Sequence, residues 1–216
     1  LCNSRVVQTL TTRHEIAAFI ARRDKAFRPI VALVGPAPRP RPAPVDDRFA
    51  ALVRSITFQL LATSAANTIH CRVVEACGGE VSVESILRAG PDQLRGAGLN
   101  RTKAQAMVDL AGDVFDKRVR LSNHGRMSDD EVVKDVVSVR GIGPWTAHMY
   151  LMFTLARPDV WPVGDFGVRN GWSMLHGLDE MVTEVQLREL GDVFAGARSS
   201  VAWYCWEAVH LSRQAR

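Results

Sequence analysis

The stretch SDDEVVKDVVSV-RGIG-PWTAHMYLMF, residues 128–153, leaves few folds open to this chain. Two helical patterns meet across two glycines and a proline. Ser128, with Glu131 three residues later, forms a capping box that starts the first helix. Gly141 and Gly143 suit a tight turn, since glycine takes positive φ and lets another backbone come close. Pro144 opens the next helix without losing a hydrogen bond. The segment PWTAHMYLMFTLAR that follows is nearly all apolar and must be buried. Ile142, between the glycines, anchors the turn on the core. The result is an αα-hairpin, and two readings of it stand. One is a plain structural turn. The other is a site for a phosphate, because helix N-termini present N–H groups together with the positive end of the dipole.

The same punctuation runs along the whole chain. HEIAAFIARRDKAF reads as one helix. GPAPRPRPAP (35–44) cannot be helical and predicts an extended, basic strap over the surface. From Asp46 a long pattern predicts two helices with a break near Gln59–Ser64, where Thr63–Ser64 offers an N-cap. VSVESILRAGPDQLRGAG predicts two short helices stopped by glycines. NRTKAQAMVDLAGDVFDKRV is amphipathic, with Ala106, Leu110, Val114 and Phe115 facing inward. TEVQLRELGDVFA and SVAWYCWEAVHLSRQ close the chain. No strand pattern and no internal repeat emerges, so the expected fold is all-α with roughly ten helices.

Composition narrows the class. The 216 residues are 47% hydrophobic and 23% charged, as in an ordinary globular protein. No apolar run approaches a membrane span. The opening LCNSRVVQTLTTRHE lacks the apolar core of a signal peptide, and the missing initiator Met points to a trimmed start. Cys2, Cys71, Cys77 and Cys205 form no CxxC pair and no zinc or iron–sulfur pattern, so all four read as reduced, buried thiols of a cytoplasmic protein. A net charge of +4 is compatible with a polyanionic partner without requiring one.

A second stretch, WPVGDFGVRNGW (161–172), lies one buried helix beyond the hairpin. Asp165 sits before a helical pattern and reads as its N-cap. A carboxylate at a helix N-terminus stays ionised, so the same residue suits chemistry that stabilises positive charge.

GIGPWTA followed by this Gly/Pro-rich loop and aspartate resembles the helix-hairpin-helix DNA glycosylase superfamily. Within it the chain is most similar to the bacterial 3-methyladenine-DNA glycosylase II branch, over nearly all of Phe49–Trp206. The resemblance implies a two-lobed fold with the active-site cleft between lobes. The expected division is residues 1–48 (helix and strap, packed on the C-terminal lobe), 49–123 and 124–216. It also implies a hydrolase that excises alkylated purines such as 3-methyladenine from double-stranded DNA, acting as a monomer after flipping the base out. Asp165 falls on the catalytic aspartate, which would stabilise an oxocarbenium-like sugar and direct water. Trp145 stands where bifunctional members carry a Schiff-base lysine, which implies no strand-cleaving lyase step.

Further roles follow from the same likeness. Trp145, Met149, Trp203, Tyr204 and Trp206 would line a base pocket, where an electron-rich cleft attracts cationic bases. Packing is the alternative role for Trp145 and Trp206. Arg140, Gly141, Ile142, Gly143 and Thr146 would hold a DNA phosphate, with Arg140 replacing the family's proline. The carbonyls of Val139 and Gly141 would hold a monovalent cation, Na or K; no other cofactor is implied. Gln59 would face the minor groove, and the loop GLNRTK (98–103) would supply a wedge, Arg101 or Leu99, or else serve as a plain connection. Gly196-Ala197-Arg198-Ser199 replaces the family's Pro-Trp-Arg-Ser, and Met149 replaces a pocket tyrosine of some relatives, so lesion range stays open. Two other functions remain: a glycosylase for deaminated or oxidised bases, and a non-catalytic helix-hairpin-helix DNA-binding protein.

Overall fold

The structure is a computed structural model and describes residues 12–214; Cys2 and most of the opening segment lie outside the described residues. Among the described residues there are eleven α-helices and no strand. In chain order they are α1 (Arg13–Arg23), α2 (Arg28–Val34), α3 (Asp47–Phe58), α4 (Thr63–Ala76), α5 (Val83–Gly96), α6 (Arg101–Phe115), α7 (Asp129–Val137), α8 (Pro144–Met149), α9 (Phe166–Leu175), α10 (Glu184–Leu190) and α11 (Arg198–Gln214). None is long and apolar enough to cross a membrane.

Local sequence explains most of the boundaries. Thr12 and Glu15, Ser128 and Glu131, and Thr183 and Gln186 form capping boxes that start α1, α7 and α10. The first helix is shorter than its periodicity suggests. Asp24 leaves the helical region and its carboxylate accepts the Ala26 N–H, which turns the chain into a short 3-10 segment, Lys25–Phe27. α5 bends at Gly90, whose φ is 64°, so the two short helices of the pattern run on across a kink. At α4 the expected Thr63–Ser64 cap is absent: Ala62 occupies the N-cap with no side-chain bond. Phe115 is 66% exposed rather than inward, because α6 ends there and its buried face stops at Ala111.

The chain forms two compact units, Leu1–Arg39 with Pro158–Arg216, and Pro40–Arg157. The first unit is built on aromatic rings. Phe27 is fully buried and meets Trp172, Phe194 and Tyr204 edge-on at 5.6, 5.7 and 6.4 Å. Trp172 stacks on His176 at 4.4 Å, and His176 Nε2 pairs with Asp24 at 2.7 Å. α9 and α11 form the principal helix pair. Tyr204 of α11 is fully buried, and its hydroxyl donates to the Gly35 carbonyl at 3.0 Å and accepts the Ala37 N–H at 3.2 Å. It therefore anchors the start of the proline-rich strap and does not line a base pocket.

The second unit packs α3–α8 around Leu52, Ile56, Ile86, Leu94, Met107, Leu110 and Val136, all fully buried. The apolar segment after the hairpin is not one α-helix. It passes from α8 into a π-helical turn, Tyr150–Thr154, that leaves Phe153 54% exposed. Fully buried His124 holds that turn, with Nδ1 3.1 Å from the Tyr150 hydroxyl and Nε2 2.7 Å from Asp135. Burial lowers the His124 pKa more than Asp135 raises it, so the ring is neutral and donates from Nε2. The Gln59 amide at the end of α3, bonded to Thr146, and the close approach of Gly141 to Ala106 of α6 tie the hairpin into the unit of α3–α6. The two units divide at 39/40 and 157/158, beside the 48/49 and 123/124 expected from the sequence. Of the thiols, Cys77 and Cys205 are buried, but Cys71 is exposed, since the buried face of α4 carries Ala66 and Val73.

Replacing Tyr204 by Phe keeps the ring packing but leaves the buried Ala37 N–H without its acceptor. Chemical denaturation should show a loss of about 1–3 kcal/mol.

Candidate active site

Asp165 lies in the first unit. Its N–H donates to the Pro162 carbonyl at 2.9 Å, and its extended backbone (ψ 122°) makes it the N-cap of α9. Asp165 is 9% exposed. Two donors converge on Oδ1: the Val168 N–H at 2.8 Å and the Trp206 indole N–H at 2.9 Å. Trp206 comes from α11, so the geometry depends on how near that helix lies. Gly167 and Gly171, one turn apart on α9, make the approach possible: a Cβ on Gly171 would stand 2.0 Å from the Cys205 carbonyl oxygen. The Cys205 thiol, beside this carboxylate, is pushed up in pKa by complete burial and then by the charge of Asp165, so it is no nucleophile.

The hairpin lies in the second unit. Gly141 has φ 88°, and a Cβ there would sit 2.8 Å from Ala106 Cβ, so glycine is required on both counts. The Ile142 N–H donates to the Val139 carbonyl at 3.1 Å, and the Thr146 N–H to the Gly143 carbonyl at 3.0 Å. Those two residues are 4% and 1% exposed. Ile142 and Thr146 therefore build the turn instead of meeting a ligand, and the N–H groups of Gly141 and Gly143 enter no hydrogen bond among the described residues. Gln59 also serves the hairpin. Its amide donates to Thr146 Oγ1 at 2.8 Å and reaches the Gly141 carbonyl at 3.4 Å.

Beside Gly141 lies an open depression of about 310 Å³ lined by Arg101, Thr102, Gln105, Asp109 and Arg140. It brings together two arginines that are distant in sequence. Leu99 is 5% exposed and belongs to the core, so of the two expected wedge residues only Arg101 stands at the surface. The structure adds one the sequence reading missed. Leu60 is 103% exposed at φ 53°, directly after Gln59. Buried Lys103 pins that turn, its ammonium donating to the carbonyls of Thr57 at 2.9 Å and Gln59 at 2.5 Å. Burial lowers the Lys103 pKa. The available signal was an apolar pair, Leu60-Leu61, at a predicted helix break. Phe166, 63% exposed next to Asp165, was likewise missed.

The remaining expected pocket residues divide. Trp203 is half-buried against Tyr204, rings 5.1 Å apart, in the unit of Asp165. Trp145 is half-buried and Met149 8% exposed, both in the unit of the hairpin. Among the described residues no His, Cys, Asp or Glu group that could hold a metal is present.

A family model described as "HhH-GPD superfamily base excision DNA repair protein" matches residues 53–194, which include both the hairpin and Asp165. The chain belongs to this superfamily. Among its HhH-GPD relatives, DNA-3-methyladenine glycosylase 1 of Schizosaccharomyces pombe is 27% identical, over 95% of this chain and 91% of that protein. The solved complex of an S. pombe 3-methyladenine DNA glycosylase with abasic DNA superposes with a TM-score of 0.83 at 26% identity, covering 89% of this chain and 95% of that one. The Bacillus halodurans DNA-3-methyladenine glycosidase gives a TM-score of 0.76 at 28% identity, covering 92% and 91%.

Gly141→Ala should strain the hairpin by about 1–2 kcal/mol through its positive φ alone, and the approach to Ala106 adds to that. A lower melting temperature together with weaker binding to undamaged duplex is the expected result.

Proposed function

We propose that this HhH-GPD protein is a monofunctional DNA glycosylase that hydrolyses the N-glycosidic bond of alkylated purines of the 3-methyladenine type. The observation that carries this reading is Asp165, a nearly buried carboxylate at the N-terminus of α9 with two donors on one oxygen. A carboxylate held in place there stabilises the positive charge that grows on the sugar, and preorganised charge in a dry site is what lowers that barrier. It also orients and deprotonates the attacking water. The 3-methyladenine glycosylase names of the relatives support the substrate class. An alkylated purine carries positive charge and leaves readily, so no strong general acid is needed. Trp145 is no nucleophile, which supports hydrolysis without a lyase step.

The partner is duplex DNA, and the support is chemical. Hairpin amides of Gly141 and Gly143 suit one backbone phosphate, and Arg101 with Arg140 suits a neighbouring one. The carbonyls of Val139 and Gly141 each accept one hydrogen bond and keep a second lone pair, a neutral oxygen set that fits Na or K and would add positive charge beside the phosphate. Leu60, apolar and fully exposed beside the hairpin's own Gln59, is the side chain suited to fill the space left by an extruded base.

The test is base release from methylated duplex by wild type and Asp165→Asn, with alkali added only afterwards. Wild type should release 3-methyladenine and leave strands uncut before alkali; Asp165→Asn should bind DNA and release nothing. Tight binding without release from any damaged substrate would point to the non-catalytic module. In a second measurement, the Arg101→Gln/Arg140→Gln pair should flatten the dependence of log K on log salt by about 2, since each lost phosphate contact releases one counterion fewer. An unchanged slope removes the two arginines from the interface.

A further inference from the structure

The seam between α9 and α11 does more than pack two helices. Gly167 and Gly171 share one face of α9. At Gly171 the close partner is backbone: a Cβ would lie 2.0 Å from the carbonyl oxygen and 2.8 Å from Cα of Cys205. At Gly167 the partner is the indole of Trp206, with Cδ1 at 2.8 Å and Nε1 at 3.0 Å from a built Cβ, and Asp165 Oδ1 at 3.1 Å. The missing methyl group of Gly167 is therefore the space in which the indole edge reaches the carboxylate. The indole N–H completes the contact at 2.9 Å.

We propose that Gly167, supported by Gly171, is a positioning residue for the excision reaction, acting through Trp206 to fix the Asp165 carboxylate. In this arrangement Trp206 contributes its N–H edge. One donor on Oδ1 comes from α9 itself, through Val168, and moves with Asp165. The other comes from α11 and does not. A bond from α11 adds a restraint on rotation about χ2 that a bond from α9 alone does not give. The nearest non-glycine residue at 167, alanine, brings its methyl group closest to the indole, 2.8 Å from Cδ1 against 3.1 Å from Oδ1, so it is the indole that is displaced first. Fixed orientation matters most when the transition-state charge develops, so its loss lowers the rate of excision rather than the affinity for DNA. The inference rests on the reading of Asp165 as the catalytic carboxylate.

The experiment is a double-mutant cycle on single-turnover excision at saturating enzyme, with duplex affinity and melting temperature measured on every variant. The variants are Gly167→Ala, Trp206→Phe, the two combined, and Asp165→Asn as reference. Trp206→Phe keeps an aromatic ring and removes the donor. It should lose about ten-fold in rate, the size of one hydrogen bond to a charged group, with DNA affinity within about two-fold of wild type. Gly167→Ala should lose a similar factor in the wild-type background and almost nothing further in the Trp206→Phe background, since both act on the same bond. A Trp206→Phe enzyme at wild-type rate overturns the proposal, and this holds even if Gly167→Ala fails to fold. Losses that multiply instead of overlapping overturn it as well, because Gly167 would then act by another route. Retained excision in Asp165→Asn would instead strike the reading of Asp165 itself, and is thereby told apart from failure of the seam.

Discussion

The closeness of α11 to α9 is the constraint on which the unit carrying Asp165 depends. At Gly171 the two helices approach to backbone contact, a distance that any side chain would prevent. From that contact the rest follows in order. Trp206 comes within bonding distance of Asp165, Cys205 is sealed from solvent, and Tyr204 on the other side of α11 turns inward to hold the strap at Gly35 and Ala37. One helix thus positions a carboxylate on one face and anchors the N-terminal segment on another. Phe27, clasped between Trp172, Phe194 and Tyr204, keeps the pair from shifting, because edge-on ring contacts favour one geometry.

In the other unit the organising element is a turn. Gln59 ends α3 and gives its amide to the hairpin, while its carbonyl takes the ammonium of Lys103. A buried lysine is costly unless its charge is met. Here it meets the carbonyl end of a helix, where positive charge is favoured. The consequence is that Leu60, directly after Gln59, is held out in solvent at positive φ, a conformation a leucine adopts only when its surroundings impose it.

Much of this was legible in order. The helices, the capping box at Ser128, the buried Ile142 and the N-cap geometry of Asp165 follow from short-range rules, because each depends on residues within one turn. The pocket assignments fared differently. Tyr204 and Trp203 sit beside Trp206 in sequence, yet on a helix neighbours point in different directions, and α11 sends Tyr204 into the aromatic core. Leu99 and Leu60 are both leucines at helix breaks. Nothing local tells which one is buried, since that depends on the helices packed against each break.

The all-helical class, the hairpin with its two glycines, and the aspartate poised at a helix start are written in the residues themselves, because glycine freedom, proline geometry and capping act over a few residues. That the hairpin belongs with α3–α6, that Gln59 and Lys103 support it, that Arg101 and Arg140 share one depression, and that Trp206 donates to Asp165 come from packing alone. Each of these joins residues far apart in the chain, and such a meeting is set by how close two helices can come. That distance is a property of both surfaces at once, of a glycine on one and a carbonyl or an indole on the other, and neither surface carries it alone.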